Sequence, residues 1–321
     1  MIAILILISP LIIALIANIY GSMYGIRFAT NLLMWIALAE SLNTISGYTG
    51  RLHFGHVMFF GVGAYVAGLL SLHLGIPWYV SVLFAPLTAS IVALVIGYPT
   101  LRLHGAYFAI ATWAFSEMLK QLSLNIEFLG KGYGIPLRII VSDREVLYSM
   151  AMIAMVAVGI NLIIERSRIG RALSAIRDNE LVASSIGINT SQYKIFAYVM
   201  SSIPASLAGA VYVFWLQYIY GGDLFAGIKT DTMFMMLLLG GMGNYIGPLI
   251  GAVLFSGIYE LLWSYIGEQL YLVLLGIFIM FIVVFMPYGI SGLLGVKSVS
   301  IRYLLLSLSP RELRERIHVS Q

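Results

Sequence analysis

Residues 2–20 read IAILILISPLIIALIANIY, an apolar run without one charged side chain, and it is the first of a series. Comparable segments recur at about 28–46, 57–74, 78–98, 106–125, 147–165, 195–219, 231–242, 246–264 and 270–286. A helix needs about 20 predominantly apolar residues to cross the hydrocarbon core. In lipid, only helices and closed barrels satisfy every backbone polar group. Barrel strands would alternate apolar and polar residues over about ten positions, whereas these runs are continuous. The expected fold is all-α: a polytopic helical membrane protein with about ten transmembrane segments, including broken or half-length helices. Composition agrees, with 60% hydrophobic and 10% charged residues, against roughly a quarter charged in soluble domains.

The first run has no basic residue before it and no small-residue cleavage site, so it reads as a retained span rather than a signal peptide. With no cysteine, disulfide and thiolate chemistry are excluded. Basic charge gathers in two places: Arg166, Arg168, Arg171, Arg177 and Lys194 in the 166–194 segment, and Lys297, Arg302, Arg311, Arg314 and Arg316 in the tail. In a membrane protein such clusters report topology, not nucleic acid, and the positive-inside rule places both in the cytoplasm. Four segments lie between them and six precede the first, so both termini are expected to be cytoplasmic and the 126–146 loop external. The expected organisation is a transmembrane domain over 1–296 in the cytoplasmic membrane and a cytoplasmic tail over 297–321.

Two of the apolar stretches are interrupted by glycine. One is SGYTGRLHFGHVMFFGVGAYVAG, residues 46–68; the other is LLLGGMGNYIGPLIGAVLF, residues 237–255. Paired broken segments in corresponding halves point to a transport pathway, because non-helical backbone at membrane depth must be buried in protein or line a cavity. Gly47, Tyr48, Gly50 and His56 in the first stretch, and Gly241, Gly243 and Asn244 in the second, are the candidate pathway positions. Gly243, Gly247 and Gly251 form successive GxxxG spacings that allow close helix contact, and helix packing explains these glycines as readily as a pathway does. Asn244 is placed to cap the helix that follows, and Pro248 sits early enough in it to be tolerated.

Three ionisable residues fall inside expected spans: Glu40, Glu117 and Lys120. Such groups usually face a bundle interior or a cavity. Glu117 and Lys120 stand three apart and can pair with each other. Glu40, with Asn43 on the same face, is the better candidate to line a polar route, and it also keeps an ion-coupled carrier in view. His53 and His56 stand three apart, but no further Cys, Asp or Glu nearby completes a zinc set, so no metal site is expected. No G-x-x-x-x-G-K-[ST] occurs, so this chain is not expected to hold ATP or any other cofactor.

The 166–194 segment reads as a helix from Gly170 to Ser185, with Ile169, Leu173 and Ile176 at helical spacing. Gly187 supplies its stop, and Asn189 followed by Gln192 starts the next span. The narrow apolar ridge fits a groove on a partner or a membrane surface, and spacing does not separate the two.

These stretches together resemble a known family. GRALSAIRDNELVASSIGINTSQYKIFAYVMSSIPASLAGA, SLNTISGYTGRLHFGHVMFFGVGAY, LRLHGAYFAIATWAFSEM and LLLGGMGNYIGPLIGA are similar, in the same order, to segments of LivM-type permeases from branched-chain amino acid ABC transporters. The resemblance implies a heteromeric importer: a second related permease, two cytoplasmic ABC ATPases and an extracytoplasmic substrate-binding protein. It assigns the ATPase contact to the helix carrying Gly170, Arg171, Ala172, Ile176, Arg177, Asp178, Asn179 and Glu180, ending at Gly187. Two departures from the family pattern, RLHF at 51–54 and Glu40, leave urea or short amides as alternative cargo.

Overall fold

The computed structural model describes residues 2–266, 276, 280, 288–296 and 299. Each of the first nine apolar segments falls on a described helix; the expected segment 270–286 and nearly all of the tail lie outside the described residues. The helices are α1 (Ile2–Tyr20), α2 (Met23–Leu42), α3 (Val57–Leu74), α4 (Trp78–Thr100), α5 (Ala106–Asn125), α6 (Asp143–Arg166), α7 (Arg168–Asp178), α8 (Glu180–Ser185), α9 (Thr190–Leu216), α10 (Gly221–Leu224), α11 (Gly227–Gly240) and α12 (Gly247–Ile266), followed by a short helix, Gly289–Leu293. Of these, α1, α3, α4, α6 and α9 have both the length and the hydropathy of full membrane spans. The 14-residue α11 covers about 21 Å at ~1.5 Å per residue, short of the ~30 Å core, as its apolar run predicts.

Glycine sets the closest helix contacts. At Gly63 of α3 a Cβ would stand 2.1 Å from the Ser206 carbonyl oxygen of α9, and at Gly209 of α9 it would stand 1.9 Å from the Phe60 carbonyl oxygen of α3. Backbones that approach this closely leave no room for any side chain, and dispersion rather than hydrophobicity holds helices together in lipid. The α11–α12 pair repeats the device: Cβ atoms at Gly240, Gly247 and Gly251 would each fall within 2 Å of a carbonyl oxygen of the opposite helix or its adjoining turn. Gly247 and Gly251 thus make the expected packing contact. Gly243 does not, because it lies in the turn between the two helices at φ 78°.

Prolines inside α1, α4 and α9 (Pro10, Pro86, Pro99 and Pro204) are accommodated as in other membrane helices, where neighbouring groups recover the freed carbonyls. The 126–146 loop adds a two-residue antiparallel ribbon joining Ile135 to Ile219 and Pro136 to Tyr218. Ser142 and Glu145 then form a capping box at the start of α6.

Candidate functional site

The first broken stretch begins where α2 ends. Its last turn widens into a π-turn over Asn43–Gly47, a distortion that concentrates at functional positions, and helical structure stops by Gly50, at φ 68°. Hydroxyl groups recover carbonyls around the change of pitch: Thr44 Oγ1 donates to Glu40 O at 3.2 Å and Thr49 Oγ1 to Ile45 O at 2.6 Å. The second broken stretch, residues 241–246, lies directly against the first. Asn43 joins them, its Oδ1 accepting from Gly243 N at 2.9 Å and its Nδ2 donating to Asn244 O at 3.0 Å. Asn244 in turn caps α12, its Oδ1 accepting from Ile246 N at 3.1 Å and Gly247 N at 2.7 Å. A Cβ on Gly47 would sit 2.7 Å from Gly243 N and closer still to Asn43 Oδ1, so this crossing of two irregular backbones exists only because Gly47 is glycine.

The surface segment reaches the same place. Arg177, at the end of α7, donates from Nη1 to the Gly47 carbonyl at 3.3 Å. Its side chain lies over Gly50, where a Cβ would meet Arg177 Cγ at 2.7 Å, and over Gly243, where a Cβ would meet Nη1 at 3.1 Å. One guanidinium therefore spans both breaks. Arg177 also pairs with Asp178 at 3.3 Å.

The expected continuous helix from Gly170 to Ser185 is in fact two. Asn179 leaves the helical region (φ −159°, ψ 109°), and its side chain caps the new helix α8 at Leu181 N and Val182 N, so a local hydrogen bond outcompetes helix continuation. The ridge that spacing offered to a partner's groove or to a membrane surface is already occupied. Gly170, Ala172, Leu173 and Ile176 are buried against the chain's own bundle, and a Cβ on Gly170 would stand 2.1 Å from Ile164 O. Arg171, Asp178 and Asn179 stay exposed, and Gly187 ends the segment at φ 89° as expected. Leu181, Val182 and Ile186, which spacing did not single out, are 71%, 56% and 69% exposed.

Glu180 faces inward. Its carboxylate accepts from Arg51 Nη2 at 2.9 Å, from Thr190 Oγ1 at 3.1 Å and from Lys194 Nζ. Arg51 also donates to the Leu101 and Leu103 carbonyls. The arginine of the opening glycine-rich stretch therefore sits on the face that carries α7 and α8. Burial raises the Glu180 carboxyl, and the hydrogen bond from Lys194 with the charges of Arg51 and Lys194 overcomes this, holding it at about 2 against an ordinary 4.5. A lowered folded-state value means the contribution is complete above about 4.5 and is lost as pH falls toward about 2. Glu180→Gln is expected to destabilise the protein by about 2 kcal/mol near neutrality, between the ~1 of an exposed pair and the ~3–5 of a buried one. Thermal unfolding measured against pH checks this: the difference between variant and parent shrinks in that acidic window.

The sequence profile of the family described as "Branched-chain amino acid transport system / permease component" matches residues 24–284. The chain belongs to this family. Among its relatives, the permease is 25% identical to the high-affinity branched-chain amino acid transport system permease protein LivM of Escherichia coli (strain K12), over 89% of this chain and 74% of that one. It is 27% identical to the probable branched-chain amino acid transport permease protein LivM of Methanocaldococcus jannaschii, over 75% of this chain and 83% of that one. With the probable LivH of the same organism the identity is 26%, over 84% and 91%. No solved structure matches the chain.

The permease's candidate pathway residues are packed in the single chain. Glu40, Asn43, Gly47, Tyr48, Gly50, His56, Gly241, Gly243 and Asn244 are buried or partly buried in the single chain. Glu40 Oε2 accepts from Asn161 Nδ2 at 2.6 Å, and Asn161 Oδ1 accepts from Thr44 at 3.0 Å. Tyr48 donates to Asn161 O at 3.2 Å and lies 3.4 Å from Glu165, whose carboxylate also accepts from Tyr245 N at 2.9 Å. Asn161 and Glu165, one turn apart on α6, tie both breaks to that helix. They escaped the sequence reading because each stands alone in, or at the rim of, an apolar run. Glu117 and Lys120 pair with each other at 3.4 Å, as their spacing predicts.

His53 and His56 form a directional chain. Ser41 spends its proton on Leu38 O at 2.7 Å, so its oxygen accepts from His56 Nε2 at 2.8 Å. His56 Nδ1 then accepts from His53 Nδ1 at 3.2 Å, and His53 Nε2 accepts from Tyr198 at 2.7 Å. Every ring nitrogen is used with one proton per imidazole, which is a structural role and leaves neither ring free for a metal. Among the described residues no group of three His, Cys, Asp or Glu could hold one.

Asn43→Leu would leave the Gly243 N–H and the Asn244 carbonyl buried without partners, at about 1–3 kcal/mol each. The expected result is a lowered thermal midpoint and uptake reduced at least roughly tenfold at equal membrane abundance, measured with radiolabelled substrate.

Proposed function

We propose that the permease is the membrane-spanning subunit of an ATP-driven importer of branched-chain, hydrophobic amino acids. It works with a second related permease and two cytoplasmic ATPases, and a substrate-binding protein delivers cargo to its external face. The names of its relatives, LivM and LivH branched-chain amino acid permeases, support both the cargo and the pairing with a second permease.

The observation that carries the coupling is the position of Arg177. An ATPase that moves α7 and α8 moves a guanidinium held against Gly47, Gly50 and Gly243, and so acts on both broken segments at once. Two irregular stretches joined by the Asn43 side chain, instead of regular helix packing, can take a second arrangement at modest cost. ATP-driven closure then shifts the population between outward- and inward-facing states. With the 166–194 face in the cytoplasm, the 126–146 loop meets the binding protein, offering the exposed Phe128, Tyr133 and Ile140.

Uptake of labelled leucine by cells expressing the whole transporter tests the reading. Collapse of the ion gradients at maintained ATP leaves uptake in place, whereas ATP depletion abolishes it. Glu40→Gln retains most of the rate, because ATP supplies the driving force. Uptake that follows the gradients and fails with Glu40→Gln contradicts the reading and installs an ion-coupled carrier.

A further inference from the structure

We propose that the permease binds the phosphate group of an anionic phospholipid in a cavity between the C-terminal end of α4 and the first turn of α9, on the face that carries α7 and α8. The cavity holds about 340 Å³, with Tyr98, Arg102, His104, Glu180, Ser191 and Lys194 in its wall. Its charges do not balance. Glu180 is the acid there, and it is already shared between Arg51 at 2.9 Å and Lys194, with the His104 ring 3.8 Å away. Arg102 lies over the Tyr98 ring at 4.6 Å, with no carboxylate in ion-pair range among the described residues. Three full cations thus answer to one carboxylate. A phosphate would accept hydrogen bonds from guanidinium, ammonium and the Ser191 hydroxyl together, and charge-assisted bonds of this kind are about twice as strong as neutral ones.

The surface leading to the cavity selects a lipid as the source of that phosphate. Leu87, Ile91, Leu94, Val95 and Tyr98 are all exposed on α4, and their spacing of three, four and seven puts them in one stripe. Arg102, four residues beyond Tyr98, stands at its end. From Leu87 to Tyr98 the stripe runs about 16 Å at ~1.5 Å per residue, half of the ~30 Å hydrocarbon core. That is the depth of a single leaflet. An acyl chain lying on the stripe brings its headgroup to Arg102 and the cavity mouth. The tyrosine sits at the boundary where aromatic rings collect, and the arginine reaches past it to the polar side.

Native mass spectrometry of the transporter, purified with its partner subunits from nanodiscs of mixed phosphatidylglycerol and phosphatidylcholine, tests the site. The parent is expected to retain phosphatidylglycerol preferentially. Arg102→Glu is expected to lose that preference by more than the roughly fivefold equivalent to the ~1 kcal/mol that one cation contributes near an anionic surface. Arg102→Gln is expected to fall between the two. Arg168→Glu, a charge reversal on α7 of the same face, is expected to retain the parent's preference. An unchanged size-exclusion profile shows that the variants fold. Equal retention by parent and Arg102→Glu overturns the proposal. So does loss of the same size in Arg168→Glu, which would mark a diffuse surface effect. Displacement of the lipid by millimolar inorganic phosphate would make the site one for free phosphate, and crosslinking of Arg102→Cys to a partner subunit would show the cavity filled by protein; either contradicts the lipid assignment.

Discussion

Aspartate at both Leu181 and Ile186 is expected to abolish co-purification of the ATPase subunits and to reduce uptake more than tenfold, while the permease accumulates in the membrane at its normal level. The reason is division of labour within one segment. Leu173 and Ile176 are buried against the bundle, so α7 is anchored by its apolar ridge. Across the Asn179 break, α8 turns Leu181, Val182 and Ile186 outward, and apolar side chains this exposed on a polar segment mark an interaction surface. Aspartate there costs the fold little but places charge in the centre of a desolvated contact, where binding energy concentrates. Arg177→Ala is expected to behave oppositely, keeping the ATPases bound while uptake falls, because it removes the link to Gly47 and leaves the exposed α8 side chains in place. The measurements are pull-down of a tagged permease and uptake at matched abundance. Loss of membrane accumulation in the double aspartate variant would show instead that these side chains rest on lipid or on the bundle.

Gly209→Ala is expected to be among the most damaging single substitutions in the chain, although it adds one methyl group. That methyl would stand 1.9 Å from the Phe60 carbonyl oxygen, and backbone cannot rotate out of the way as a side chain can. The α3–α9 contact must open, which loosens the reciprocal contact at Gly63 and the core rings Phe59, Phe60 and Tyr198 around it. Overpacking usually costs about 1–3 kcal/mol, and a clash with backbone on both sides belongs at or above the upper end. Gly25→Ala is the matched control: its nearest neighbour, Ser22 Oγ, is at an ordinary 3.8 Å. Fluorescence-detected size exclusion after graded heating distinguishes the two. A Gly209→Ala midpoint indistinguishable from that of Gly25→Ala would mean that α3 and α9 are not so closely packed.

Hydrophobic periodicity made the helices legible because length and apolar content are local properties. The starts of α2 and α9 lie several residues before their apolar runs because the Ser22 and Asn189 side chains cap them; the Asn189 cap was legible in its spacing to Gln192, whereas the Ser22 cap leaves no mark in hydropathy. The two breaks were legible as glycine interruptions. Their mutual contact through Asn43 was not, because a hydrogen bond across two hundred positions leaves no local trace. In the surface segment the apolar ridge is buried, and the exposed apolar side chains are Leu181, Val182 and Ile186. Spacing left Leu173 and Ile176 open to a partner's groove or a membrane surface, because an apolar ridge has the same pattern whether it meets its own bundle, lipid or another chain. The role of Arg177, Asp178 and Glu180 came from the family resemblance alone; the fold holds Arg177 on Gly47 and Glu180 on Arg51 and Lys194.

The most direct measurement is gentle purification of the tagged permease from its native membrane, with identification of the chains that accompany it. Recovery of a second related permease together with two P-loop ATPases is the predicted result, and their loss in the Leu181, Ile186 double variant would place the contact on α8. A permease that purifies alone and still carries leucine across a membrane without ATP would contradict the account.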